Sequence, residues 1–311
     1  MNMRKLAAGL AGMIVGVGFS AQALATELLG QPTPDYIGLQ QAASPLKHSA
    51  IFFHDAILMP IITVISVFVA ILLGIIVVRF NKKSNPVPAK FTHNTALEVA
   101  WTLIPVGILL FISIFSFKLL FAYHDMPKPD LTVKATGYQW YWGYTYPDQK
   151  IDEITSVMLS EADAKKANVP YRLAADNSLV VPVGKVVKVL VTGSDVIHNF
   201  AMPAFGLKTD AIPGRINETW FKAEKTGMFY GQCSELCGVD HAFMPIQIQV
   251  VTQEEFDAWV LTKAPPAPAA PAATPVATPA APAAPAAPVA AAPAPQKTAQ
   301  LDVAAKPVAM N

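Results

Sequence analysis

Two apolar stretches, Ala56–Val78 and Val99–Phe121, restrict what this chain can fold into more than any other feature. The first runs about 23 residues without a charge, enough to cross a bilayer's hydrocarbon with some tilt. The second holds Lys118 near its far end, where a lysine can snorkel to the interface. Pro105 lies a turn or two inside it and predicts a local kink rather than a break. Between the stretches stand Arg79, Lys82, Lys83 and Lys90, with no acidic residue before Glu98. The positive-inside bias puts this short loop in the cytoplasm and both flanks outside. Residues 1–25 carry Arg4 and Lys5, an apolar run from Leu6 to Phe19 and Ala23-Leu24-Ala25, the pattern of a secretory signal peptide cut after Ala25. Export of the mature N-terminus follows independently from that peptide. Residues 26–122 are therefore an N-terminal segment and a two-helix transmembrane hairpin. Glu98, at the inner mouth of the second span, is either a functional carboxylate or one resting among headgroups.

Residues 123–263 read as an exported all-β domain. Strand signals fall at Leu131–Ala135, the aromatic run Tyr138–Tyr144, Leu179–Val183, Val186–Thr192, Glu218–Ala223, Met228–Gln232 and Pro245–Val251. Helices are expected at Glu161–Ala167 and Glu254–Lys263. The domain carries 13 Lys and Arg against 17 Asp and Glu, a net charge of −4 that the whole-chain value of +1 hides. An acidic exported face steers a basic protein partner and repels nucleic acid. Residues 264–311 begin as an almost pure Ala/Pro tract, unable to build a core and expected to be a disordered tail.

The chemistry concentrates in Cys233-Ser-Glu-Leu-Cys237, followed by His241 and Met244, with His198 upstream in an apolar, strand-like context. Cys233 and Cys237 are the chain's only cysteines. In an exported protein a disulfide is the first reading. A staple, however, needs neither the imidazole nor the thioether that follow, and closing so small a loop would add on the order of 2 kcal/mol. Zinc would accept two thiolates and two imidazoles, but usually at CxxC and HxxxH spacings and without methionine. Thiolate, imidazole and thioether together select copper. One cysteine would complete a mononuclear blue-copper site, so the simplest use of two is to bridge two coppers. His48, His54, His93 and His124 occur singly near span ends and are expected to be interfacial or structural.

These residues resemble subunit II of the haem–copper cytochrome c oxidases. The likeness rests on the run from Cys233 to Pro245, on Asp195-Val-Ile-His198, Tyr138-Gln-Trp140-Tyr-Trp142, Pro213-Gly-Arg215 and Glu98-Val-Ala-Trp101-Thr-Leu-Ile-Pro105, across roughly residues 45–260. It implies a cupredoxin-like β-barrel holding a dinuclear copper centre. Cys233 and Cys237 would bridge both ions, His198 and Met244 would complete one, and His241 with the main-chain oxygen of Glu235 the other. The resemblance also gives the Glu235 side chain a magnesium ion at the boundary with subunit I, and makes Trp140 the point where electrons arrive from cytochrome c. Asp195 becomes part of the cytochrome-docking face and Glu98 the mouth of a proton path. Thr145 stands where some relatives carry an acidic docking residue. No CxxCH occurs, so electrons must come from a separate cytochrome.

The implied role is the electron-accepting subunit of a terminal respiratory oxidase in the bacterial inner membrane, with its copper domain on the periplasmic side. Electrons would pass to haem a of subunit I, where a second copper serves the reduction of oxygen to water and turnover drives proton pumping; subunit III completes the expected partners. A quinol oxidase subunit would lack the cysteines, and a nitrous oxide reductase would be soluble with a further catalytic domain. A membrane-anchored copper-binding or copper-delivery module stays open as the alternative.

Overall fold

The computed structural model describes residues 28–34 and 36–263. The signal peptide and the Ala/Pro tail expected from the sequence lie outside the described residues. Helix α1 runs Pro45–Arg79, with a π-helical stretch Phe53–Leu58 between α-helical parts. Helix α2 runs Thr95–His124. Both are long and apolar enough to span a membrane, and both are longer than the expected spans. Their extra turns follow from their caps. Ser44 Oγ accepts from Lys47 N at 3.1 Å to start α1 at Pro45, and Asn94 accepts from Leu97 N to start α2. Pro105 lies inside α2 without ending it.

Ten strands follow: β1 Leu131–Tyr138, β2 Tyr141–Tyr146, β3 Ile151–Ser156, β4 Leu179–Pro182, β5 Val186–Gly193, β6 His198–Met202, β7 Leu207–Ala211, β8 Asn217–Lys222, β9 Gly227–Cys233 and β10 Pro245–Val251. Helix α3, Glu161–Ala167, and helix α4, Gln253–Lys263, match expectation to within a residue. The strands form two five-stranded sheets, ordered β3-β2-β1-β5-β8 and β4-β10-β9-β6-β7. Between them lies one core of Val, Phe, Tyr and Trp side chains, including Trp142, Tyr144, Tyr146, Phe200, Phe205 and Phe229. Tyr146 ties the sheets together: its hydroxyl donates to Val180 O at 2.9 Å and accepts from Val180 N at 2.7 Å.

One expected strand is corrected. The aromatic run from Tyr138 to Tyr144 is broken by a turn at Gln139-Trp140 that joins β1 to β2 as a hairpin. Trp142 and Tyr144 point into the core, but Trp140 sits half-buried at the turn and does not share their strand face. The hairpin helices meet the β domain through short contacts. Ser44 Oγ donates to Phe205 O at 2.8 Å, Ala43 N to Ala204 O at 2.9 Å, and Trp220 Nε1 to Tyr123 O at 3.1 Å.

Candidate metal centre

Strand register assembles the site. Phe200 of β6 pairs with Cys233 at the end of β9, which puts His198 just beyond that cysteine. Strands β9 and β10 pair antiparallel from Pro245↔Gln232, so the chain leaves the sheet after Cys233 and returns at Met244 beside it. The excursion between them carries Glu235, Cys237 and a 3-10 turn, His241–Phe243. Six donors from two distant segments thus meet at one end of the second sheet.

The two Sγ atoms stand 3.8 Å apart, unbridged, so both thiols are available as donors. Ligand atoms of His198, Cys233 and Cys237 all lie within 4.8 Å of one another. The Cys237 sulfur is 3.5 Å from His241 Nδ1 and 3.5 Å from Met244 Sδ. The Cys233 sulfur is 3.3 Å from Glu235 O. Cys233, Cys237, Met244 and His198 are buried, while the Glu235 side chain is exposed. His198 Nε2 donates to Asp195 Oδ1 at 2.8 Å, which leaves Nδ1 as the lone-pair nitrogen. That Nδ1 is buried without a hydrogen-bond partner. An orphaned polar atom in a core costs on the order of 1–3 kcal/mol, and a soft metal ion among thiolates removes that cost. The donor set fits copper.

Burial raises the Cys233 thiol, but the imidazole of His198 and main-chain groups of Glu235 and Asn199 outweigh it and bring it below its ordinary range. Burial and the neighbouring Cys233 charge push Cys237 upward. Of the two thiols, Cys233 is therefore the one whose surroundings favour the thiolate.

The surrounding residues fix these donors. Asp195 is the hub: besides His198, its carboxylate accepts from Gln139 N and Val196 N, each at 2.7 Å. Gln139 Nε2 and Trp140 Nε1 both donate to Cys237 O, at 2.8 and 3.2 Å, and Trp142 Nε1 donates to Met244 O at 3.3 Å. Gly238 has a φ of +125, and a Cβ there would lie 2.8 Å from the Trp140 ring. A Cβ at Gly137 would lie 2.8 Å from the His198 ring. Both glycines let the loop and strand close on the site.

Sequence reasoning named the six donors. It missed the bracing roles of Gln139 and Trp142, and that of Asp195, which it expected only on a docking face. The Asp-x-x-His spacing was the available signal, since a carboxylate behind a ligating imidazole is the usual orienting device. Glu98 lies far from this centre, in the first turn of α2, where its carboxylate accepts from Asn94 N at 3.3 Å. His48 and His54 pair with Glu224 and Asp55, at 3.0 and 2.6 Å.

A two-span hairpin carrying a two-sheet β domain, with a buried Cys2His cluster assembled from strand β6 and the Cys233–Met244 loop, defines a membrane-anchored protein of cupredoxin-like type whose donors fit a metal. The family model for the cytochrome c oxidase subunit II periplasmic domain matches residues 131–251, and that for its transmembrane domain matches residues 32–119. Cytochrome c oxidase subunit 2 of Cereibacter sphaeroides is 44% identical over 270 residues, covering 82% of this chain and 89% of that one. A probable cytochrome c oxidase subunit 2 of Rickettsia conorii is 50% identical over 233 residues, 75% of this chain and 73% of its own. The crystal structure of the periplasmic domain of subunit II of cytochrome oxidase of Bradyrhizobium japonicum is 64% identical, covers 44% of this chain and 96% of that one, and has a TM-score of 0.42. The chain belongs to the cytochrome c oxidase subunit II family. It is a two-pass membrane subunit of an oxidoreductase complex.

Proposed function

We propose that this subunit accepts electrons from cytochrome c at a dinuclear copper centre and hands them to haem a of subunit I. The observation that carries the reading is the convergence of two thiolates, two imidazoles, a thioether and a main-chain oxygen, from strand β6 and the Cys233–Met244 loop, with His198 Nδ1 buried and left unpartnered. When bound, the copper pair supplies a one-electron store shared between two ions. Cys233 and Cys237 would be shared by the pair, with His198, Met244, His241 and the main-chain oxygen of Glu235 as its further holders. Asp195 holds the His198 ring in the tautomer that offers Nδ1. The buried walls keep water from the thiolates, so little reorganises on electron transfer.

Trp140 suits the point where electrons enter. Its half-buried indole donates directly to the carbonyl of Cys237, a short path from the surface to a ligand. Leu236 and Val239, 79% and 83% exposed on the ligand loop, give an apolar surface for a partner protein. The outward Glu235 carboxylate suits a magnesium ion at the boundary with subunit I. Glu98, held half-exposed at the inner start of α2, suits the mouth of a proton path serving the proton-pumping complex. The loop from residue 80 to 94 then faces the cytoplasm and the copper domain the periplasm of a bacterial inner membrane. Subunit III joins subunit I as a partner, and the second copper and the haems belong to subunit I.

Copper content and paramagnetic resonance of the purified complex test this. Two coppers in this subunit and a seven-line hyperfine pattern are expected. Cys233→Ser should abolish that pattern, whereas Met244→Leu should retain both coppers and shift the reduction potential. One copper in this subunit with a four-line pattern would favour the copper-delivery alternative.

A further inference from the structure

Arg172 is a charged residue that the proposed electron path does not use, and its geometry is unusual. It lies in the turn between α3 and β4 with a φ of +69, a left-handed backbone that side-chain-bearing residues seldom adopt. Its guanidinium carbon stands 5.5 Å from the Phe243 ring centroid and 5.6 Å from that of Tyr171, so two aromatic rings flank the cation. Among the described residues no carboxylate forms an ion pair with it. Phe243 closes the 3-10 turn His241–Phe243 and is followed directly by Met244.

The turn carrying Arg172 is itself anchored. Leu173 N and Ala174 N donate to Pro170 O at 3.2 and 3.0 Å. Ala175 N donates to Oε1 of the buried Gln247 at 2.8 Å, and Gln247 Nε2 donates to Ser178 Oγ at 2.6 Å. Gln247 belongs to β10, the strand on which the ligand loop lands. The Arg172 turn and the ligand turn are thus fastened to one strand, and the guanidinium closes the gap between them. Non-glycine left-handed residues persist where their surroundings over-determine them, often at functional sites.

We propose that Arg172 is a positioning residue: its cation–π contact clamps the turn at Phe243, so that His241 and Met244 stay aimed at the cysteine sulfurs. The clamp acts with or without metal, whereas its effect on copper rests on the ligand assignment above.

Arg172→Asn tests it, because asparagine tolerates the left-handed backbone and removes the cation. Arg172→Lys keeps the charge over the ring. Hydrogen exchange is measured on the full-length chain purified in detergent from copper-starved cells. Amides at residues 241–244 should exchange about two- to five-fold faster in Arg172→Asn, the range expected for one exposed cation–π contact, with partial recovery in Arg172→Lys and unchanged global melting. In the copper-loaded complex Arg172→Asn should broaden the hyperfine pattern and move the reduction potential. Unchanged exchange at 241–244, or a lysine variant indistinguishable from asparagine, overturns the clamp. If exchange responds while wild-type chain holds a single copper, the clamp stands and the dinuclear reading fails.

Discussion

Asp195 illustrates how much a single carboxylate can decide at the residue scale. Its three hydrogen bonds reach His198, Gln139 and Val196, so one side chain fixes the orientation of a ligand and of the turn that carries Trp140. A charged acceptor behind an imidazole raises the basicity of the other ring nitrogen and selects its tautomer. Asp195→Asn keeps the volume but removes the charge and adds an amide that must face Gln139 N or Val196 N. Copper affinity should fall by about 10- to 100-fold, read by competition with a chelator, while far-ultraviolet circular dichroism stays as in the wild type. An affinity within two-fold of the wild type would make Asp195 a surface residue only. The six donors themselves were legible because they share a short stretch, His198 excepted. Two of their supports were not: Gln139 and Trp142 lie 98 and 102 residues from the carbonyls they hold, and only strand pairing brings them in. Asp195, three residues before His198, was within reach of the sequence.

At the level of elements, the sheet-to-sheet tie at Tyr146 makes the domain's packing testable. Its hydroxyl satisfies both the N–H and the C=O of Val180 in a fully buried setting. Tyr146→Phe keeps the ring and leaves two main-chain groups unpaired, which should destabilise the β domain by about 2–4 kcal/mol. Thermal melting or urea unfolding of the full-length chain would reveal it, and a loss under ~0.5 kcal/mol would mean water reaches Val180 instead. Periodicity made the two long helices, the two short ones and the apolar inner strands readable. Strands β3 and β7, each at one edge of its sheet, escaped through their charged exposed positions, whereas the other edges, β4 and β8, carry enough apolar residues to be read. Those positions are Asp152 and Glu153 in β3, Lys208 and Asp210 in β7, and they break the apolar alternation that marks inner strands. Strand β6, expected only as an apolar, strand-like context around His198, runs His198–Met202 and is buried throughout. The break at Gln139-Trp140 was hidden by aromatics suited to a strand on either side.

The whole molecule separates its chemistry by charge. Basic residues gather in the loop between the spans, and the β domain from residue 123 to 263 carries a net −4. A long apolar hairpin fixes that domain at the membrane, so the donor proposed above would find it by diffusion along or above the surface. On the function proposed above, the domain's net negative charge and the exposed Leu236 and Val239 of the ligand loop would divide the labour of recognition. Charge governs the rate of encounter, and apolar contact governs how long the pair persists. The two contributions respond differently to salt, because the Debye length shrinks from roughly 30 Å at 0.01 M to about 8 Å at 0.15 M. The second-order rate of reduction by a basic cytochrome c should therefore fall by about ten-fold or more over that range, with the dissociation rate changing far less. Stopped-flow reduction of the intact complex in detergent, followed at the copper absorption, measures both. A rate independent of ionic strength would assign recognition to the apolar patch alone and leave the acidic surface a matter of solubility.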